Sequence, residues 1–242
     1  MRMATPAAPP ASSPLLREPT MPLDARNASS WTAEIRMAEV NLREAAPDDI
    51  GALSTLLVQL YAHELPGMLR GKVERQVELA RRLLHSAPLG RRYVLERAGE
   101  VVGMGSLATH VEPRPEIPAR VLLQAPVVMG PRDGVWSIVG AARGLLTIAD
   151  PPQPDEGQIH SVVVDETCRG EGLGGVMLRH LEQDAIGLGK RRAVLQVITS
   201  NAAARAFYRS AGYSETELRR GLPRDRLAYP SMLMEKQLAT AG

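Results

Sequence analysis

Ile159-His160-Ser161-Val162-Val163-Val164-Asp165-Glu166-Thr167-Cys168-Arg169-Gly170-Glu171-Gly172-Leu173-Gly174 runs from a mostly apolar segment through an arginine into a glycine-rich turn. Ile159 to Val164 reads as a strand, and Leu173 to Leu188 as an amphipathic helix. Glycines let the backbone approach a ligand closely. The first N–H groups of a helix point outward unpaired, and the helix dipole puts partial positive charge beside them. Arg169 adds a full charge. The combination suits a pyrophosphate. A plain tight turn whose glycines serve helix–sheet packing is the structural alternative. The spacing is Arg-x-x-Gly-x-Gly, unlike the Gly-x-Gly-x-x-Gly of dinucleotide-binding folds. Gly175-Val176 follows, so the Lys-Ser/Thr of a P-loop is absent.

A second strand–helix unit follows. Ala193 to Ile198 is an apolar-rich strand interrupted only by Gln196. Ser200 and Asn201 are good N-cap residues. Ala202 to Ser210 reads as a short helix ended by Gly212, with Ala204 and Tyr208 one turn apart on one face.

Val162-Val163-Val164-Asp165, the turn Arg169 to Gly174, and Asn201 through Phe207-Tyr208 to Gly212-Tyr213 together resemble the GNAT superfamily of acyl-CoA-dependent N-acyltransferases. The likeness is tight over residues 157 to 213 and extends by element order from about residue 39 to 237. It implies an α/β fold of the α+β kind, a mixed and mostly antiparallel central sheet flanked by helices in one domain. The strands Gln158 to Val164 and Ala193 to Ile198 would be parallel and splayed, with the cofactor arm between them.

The resemblance also implies acetyl-CoA as co-substrate and no metal. Arg169, Gly170, Glu171, Gly172, Leu173 and Gly174 would hold the pyrophosphate. The edge of Val162, Val163 and Val164 would pair with the pantetheine amides, and an N–H there would polarise the thioester carbonyl. Asn201, Ala204 and Phe207 would line the same arm. An amine would attack the thioester directly. Tyr208 stands where many family members carry the acid that protonates the leaving thiolate; a packing role is its alternative. Many members carry a Glu on the strand before the turn, whereas this strand offers His160 and Ser161. His160 is the candidate base. Tyr61, His63 and Glu64, at the end of the first long helix, form a rival cluster. A non-catalytic acyl-CoA-binding or regulatory module on the same fold is the alternative function. A dinucleotide-dependent oxidoreductase is disfavoured by the glycine spacing.

The composition suits a globular enzyme. Hydrophobic residues make up 44% of 242, ample for one core, but aromatics only 3%, so the core rests on aliphatic side chains and Met. With 29 basic and 27 acidic side chains, nucleic-acid binding is not indicated. The lone cysteine, Cys168, excludes an intrachain disulfide and a multi-cysteine zinc site. Its place beside Arg169 raises the question of a reactive thiol; filling the turn is the plainer reading. His63, His85, His110, His160 and His180 show no metal-ligand spacing. The expected acceptor is a small-molecule or peptide amine.

Residues 1–38 carry Pro6, Pro9, Pro10, Pro14, Pro19 and Pro22 and read as a disordered extension, with Met21 and Met37 as alternative starts. Neither a secretory signal nor a membrane-length apolar run is present, so the expected compartment is the cytoplasm. Residues 39–242 read as the catalytic domain. Val40 to Arg43, Tyr93 to Glu96 and Val101 to Leu107 read as strands; two helices lie between the first two, around Leu53 to Leu60 and Lys72 to His85. Glu215 to Leu218 and Ser231 to Gln237 close the sheet. An insertion at about residues 111–156 departs from the compact plan. In it Trp136, Ile138, Val139, Ala142, Leu145 and Leu146 would form one helical face, either beside the substrate entrance or in a homodimer interface.

Overall fold

The structure, a computed structural model, describes residues 40–115, 118–147, 151–219 and 228–239. The reading of residues 1–38 as an extension lies outside the described residues.

The element order is β1 (Val40–Glu44), α1 (Ile50–Glu64), α2 (Val73–Ser86), β2 (Arg92–Arg97), β3 (Glu100–Ala108), α3 (Ala119–Leu122), α4 (Ala125–Met129), α5 (Pro131–Thr147), β4 (Glu156–Val164), α6 (Leu173–Gly187), β5 (Arg192–Ile198), α7 (Ala202–Ser210), β6 (Ser214–Arg219) and β7 (Ser231–Gln237). The described strands form one sheet in the order β1-β2-β3-β4-β5-β7-β6. Only β4 and β5 pair in parallel; the other neighbours are antiparallel. The expected mixed, mostly antiparallel sheet is therefore present.

Local chemistry sets the register. Between β2 and β3 the chain reverses over Ala98 and Gly99, at φ 52° and 82°. Two consecutive positive φ angles make the tight hairpin turn whose twist matches its strands. Along β2, alternation sends Val94 to one face and Tyr93 and Leu95 to the other. On the first face Val94 and Met104 pack under Leu53, Leu56, Leu57 and Leu60 of α1. On the second, Leu95, Ile159, Leu195 and Met234 pack under Met177, Leu178 and Leu181 of α6.

In the insertion, the helical face of large apolar residues is the one turned outward. Helix α5 forms, but its buried face is Gly134, Ser137, Gly140, Ala141, Gly144 and Thr147. Trp136 is 44% exposed and Leu146 48%, and Val139 and Leu145 also face outward. Of the six residues expected on one helical face, Ile138 packs against the small cluster of Leu79, Val121, Ala125 and Met129. Close backbone approach is the reason. A Cβ at Gly134 would fall 2.3 Å from the Cα of Pro126, and one at Gly140 2.6 Å from the Cα of Met68. The small-residue stripe lets α5 touch backbone, and no large side chain fits between. Trp136 is covered in part by the Arg70 guanidinium, 4.3 Å from its ring centroid.

Two glycine substitutions test this packing in opposite directions. Gly134→Ala is expected to lose about 1–3 kcal/mol by overpacking. Gly51→Ala, in α1 with nothing within 4 Å of the added carbon, is expected to gain about 0.4–1 kcal/mol. Urea midpoints at constant slope read both; equal shifts for the two variants would contradict the close approach of α5.

Candidate active site

Strand β4 is where the sheet opens. It pairs with β5 only through Glu156, Gly157 and Gln158, opposite Arg192, Ala193 and Val194. On its other edge, Met104 faces Val163 and Ser106 faces His160, so β4 holds one residue more than β3 over this step. That is a β-bulge. Ser161 absorbs it at φ 56°, a left-handed conformation costing a non-glycine residue on the order of 1–2 kcal/mol. Beyond the bulge, the edge of Val162 to Val164 that faces β5 has no ladder partner.

A cleft of about 550 Å³ occupies the gap. Its walls include Val162, Val163 and Val164 on β4 and Asn201, Ala204 and Phe207 around the start of α7. Arg169, Gly170, Gly172, Leu173 and Gly174 close one end. Gly170 and Gly172 lie at φ 82° and 83°, and Gly172 is the N-cap of α6. An added Cβ at either would meet nothing within 4 Å. Packing therefore does not require these glycines; the backbone conformation does, and it leaves the N–H groups open. Among the described residues, none accepts from the N–H groups of Gly170 to Gly174. Opposite, the Phe207 ring lies 3.5 Å from where a Gly174 Cβ would stand, so α7 reaches the start of α6 through this side chain.

Side chains hold this turn in place. Arg169 donates from Nε to the Val164 carbonyl at 3.1 Å and from Nη1 to His63 Nε2 at 2.9 Å. Asp165 accepts from Gln59 at 2.9 Å and from the Thr167 N–H and hydroxyl, and these bonds hold its carboxyl below the usual range. Asn201 accepts from the Ala204 N–H at 3.1 Å and caps α7. Glu171, expected among the cofactor contacts, is turned away: its carboxylate takes a 2.6 Å bond from Arg97. Only its backbone is available to a ligand in the turn. Arg97 also donates to Cys168 Sγ at 2.9 Å.

A second cavity, about 140 Å³, adjoins the first. Its walls come from Tyr61 and Glu64 of α1, Ala141, Gly144 and Thr147 of α5, His160 and Ser161 of β4, and Leu195 and Gln196 of β5, with Arg114. Leu60, Glu64 and Tyr208 line both cavities. The junction thus brings Tyr208 and Glu64 together, with His160 in the second cavity. The insertion forms part of its wall.

Burial shapes the acidities here. Glu64 is half-buried by exposed area, yet protein surrounds its carboxyl closely and pushes it up to about 7, against the opposing pull of Arg114. Burial, helped by the Glu64 charge, raises the Tyr208 phenol above its ordinary value, so it stays protonated. Burial lowers His160 well below the ordinary imidazole, and the positive charges of Arg114 and Arg92 push the same way. Burial brings Arg114 down to about 10.

Two residues of this site escaped the sequence reading. Arg114 sits between prolines in a stretch without periodicity, and nothing local marks it. Gln196, the polar break in an apolar strand, was a visible signal. It donates to the Thr147 carbonyl and the Ser231 hydroxyl, tying the end of α5 to β5 and β7. Among the described residues, no group of three or more His, Cys, Asp or Glu is placed to hold a metal. No described helix is long and apolar enough to cross a membrane.

Comparison with known proteins agrees with this geometry. The model of the acetyltransferase (GNAT) family matches residues 57–213. The ribosomal protein bS18 alanine N-acetyltransferase of Escherichia coli (strain K12) is 38% identical over 66 residues, 27% of this chain and 45% of that protein. N-alpha-acetyltransferase RimI of Mycobacterium tuberculosis (strain ATCC 25618 / H37Rv) is 38% identical over 92 residues, 38% of this chain and 54% of that protein. The chain thus spans about half the length of these curated relatives. A solved acetyltransferase structure superposes with a TM-score of 0.51 at 25% identity, covering 82% of this chain and all (100%) of that one.

Cys168 is buried and held by Arg97. A chromogenic disulfide reagent is therefore expected to label the native chain slowly and the urea-unfolded chain fully and fast. Rapid stoichiometric labelling of the native protein would contradict the burial.

Proposed function

The chain belongs to the GNAT acetyltransferase family, and on that premise we propose that it transfers an acetyl group from acetyl-CoA to an amine. The observation that carries this reading is the junction of two cavities at Glu64 and Tyr208, one cavity ending in a glycine-rich turn with open N–H groups. Acetyl-CoA supplies an acyl group activated as a thioester. The residues fit such a ligand. The N–H groups of Gly170 to Gly174 and the start of α6 suit its pyrophosphate, beside the charge of Arg169. The free edge of Val162 to Val164 offers main-chain partners to the amides of the pantetheine arm. A β4 N–H at the bulge would polarise the thioester carbonyl.

Glu64 takes the proton from the acceptor nitrogen. Many relatives of this fold use a carboxylate on β4; here α1 supplies one across the gap. An acidity near 7 is matched to proton uptake at neutral pH. His160, the base expected from sequence, is the weaker candidate, because an imidazolium would form against Arg114 and Arg92. Tyr208 gives its proton to the departing thiolate. With a carboxyl and a phenol at the junction, the non-catalytic binding module is not needed to explain the site.

The cofactor assignment is tested by Gly172→Asp. The new side chain would be strained at φ 83° and would set a negative charge against the pyrophosphate. Calorimetry is expected to show acetyl-CoA binding by the parent chain and none by the folded variant. A parent chain that does not bind acetyl-CoA would overturn the proposed function.

The proton path is tested by pH. Glu64 must be ionised to accept, so kcat/KM should fall as pH drops through about 7. Tyr61, Tyr208, His160 and Arg114 face the same space; the two phenols, raised by burial, hold their protons throughout. Glu64→Gln should lower kcat by about 10²–10⁴ and remove the acid limb, and Tyr208→Phe should lower kcat by about 10² or more. A limb that survives Glu64→Gln but vanishes in His160→Gln would return the base to His160.

A further inference from the structure

We propose that the acceptor is a small amine bearing a carboxylate, its anionic end held by Arg114 and its amine presented to Glu64 and Tyr208. This rests on the acyltransferase reading for the role of the amine. It goes beyond that reading in assigning the chemical class of acceptor.

The first observation is an unpaired guanidinium. Arg114 lines the second cavity, its Nε is buried without a partner, and among the described residues it makes no hydrogen bond or ion pair. A buried polar group without a partner is costly, and a buried charge more so. The second is that it does not stand alone. Arg92 is 9% exposed and donates from Nε to the Ser106 hydroxyl at 3.1 Å, while its Nη1 is buried without a partner. Its charge acts on Tyr61 and His160, both in the cavity wall. Among the described residues, Glu64 is the sole carboxyl in that wall, and it forms no ion pair with Arg114. The space therefore carries an excess of positive charge. A carboxylate answers it, because a guanidinium binds one through two parallel charge-assisted bonds.

Size and polarity narrow the class. A cavity of roughly 150 Å³ holds a benzene-sized guest, and this one measures about 140 Å³. Leu195, Ile159 and Ile198 give it an apolar side suited to a short run of methylenes. A peptide N-terminus places a neutral amide where an amino acid has its carboxylate, and it would offer Arg114 a carbonyl acceptor but no compensating charge. The geometry thus favours a free amino carboxylic acid over the end of a protein chain.

The test is a calorimetric titration of the full chain, with and without CoA. The probes are a ladder of ω-amino carboxylic acids with one to four methylenes, each paired with its amide. At least one acid is expected to bind ten times more tightly than its amide, and Arg114→Gln to bring the two within twofold. Arg114→Lys keeps the charge but loses the fork, and should lower the ratio as well; it serves as the test should the glutamine variant not fold. Acids and amides that bind alike, a preference that survives both substitutions, or a neutral dipeptide amide that binds more tightly than every acid would each overturn the proposal. Acetyl-CoA affinity is measured alongside. If it is retained while the acid preference is absent, the acidic acceptor falls and the acyltransferase stands. If it is absent, the acyltransferase falls while the titration still reports on Arg114.

Discussion

The parting of β4 from β5 is the constraint on which the site depends. Three paired residues hold the strands together at Glu156 to Gln158. Past them, β4 bulges at Ser161 and leaves main-chain groups unsatisfied inside a sheet. Such groups are normally paired, because an orphaned N–H or C=O away from water is costly. The surrounding fold over-determines the distortion. Ile159, just before the bulge, is buried with Leu195 in the core beneath α6. Both strands then run into helices, α6 and α7, whose first residues border the same gap. One local defect thus yields a free strand edge, a turn with open N–H groups and a capped helix start on one cleft.

What could be read from the chain follows from the range of the forces involved. The strand–turn–helix at Arg169 to Gly174 was legible because its chemistry is local: positive φ at glycine and open N–H groups at a helix start. The hairpin at Ala98-Gly99 and the apolar stripe of α1 were legible for the same reason. The buried face of α5 was not. Trp136, Val139 and Leu146 read as one helical face, with its direction left open between the substrate entrance and a homodimer interface. The outcome was decided by how near the backbones of Pro126 and Met68 come, which no local pattern encodes. Glu64 was legible as a member of the rival cluster for the base, but its raised pKa was not. Its acidity arises from a cavity wall that α5 and β5 complete.

The electrostatics of the second cavity run against stability. Arg114 and Arg92 are desolvated without full pairing, and His160 is kept neutral partly by their charge. Well-packed apolar residues would hold such a space at lower cost. Clusters of perturbed acidities in a cleft mark places where the charge has a use. Here a carboxyl near 7 and a phenol that keeps its proton stand at the junction of two cavities. In the proposed reaction they would make opposite proton transfers, one accepting and one donating. Environment alone separates their roles.

The two cavities differ in how they are built, and this bears on how the acceptor is chosen. The cleft is assembled from two nearly continuous stretches, Val162 to Gly175 and Asn201 to Tyr208. The second cavity draws on α1, β4, β5, Arg114 and the insertion helix. A change in Arg114 or in the small-residue face of α5 therefore alters the second cavity without touching the turn. The close approach of α5 makes this wall firm. Gly140 brings the helix against the Met68 backbone, and Gln196 fastens its last residue, Thr147, to the sheet. The Gly140 contact leaves no room for an added side chain, so the cavity is small because the helix is held near, and in the proposed reaction that closeness would limit the acceptor that can enter.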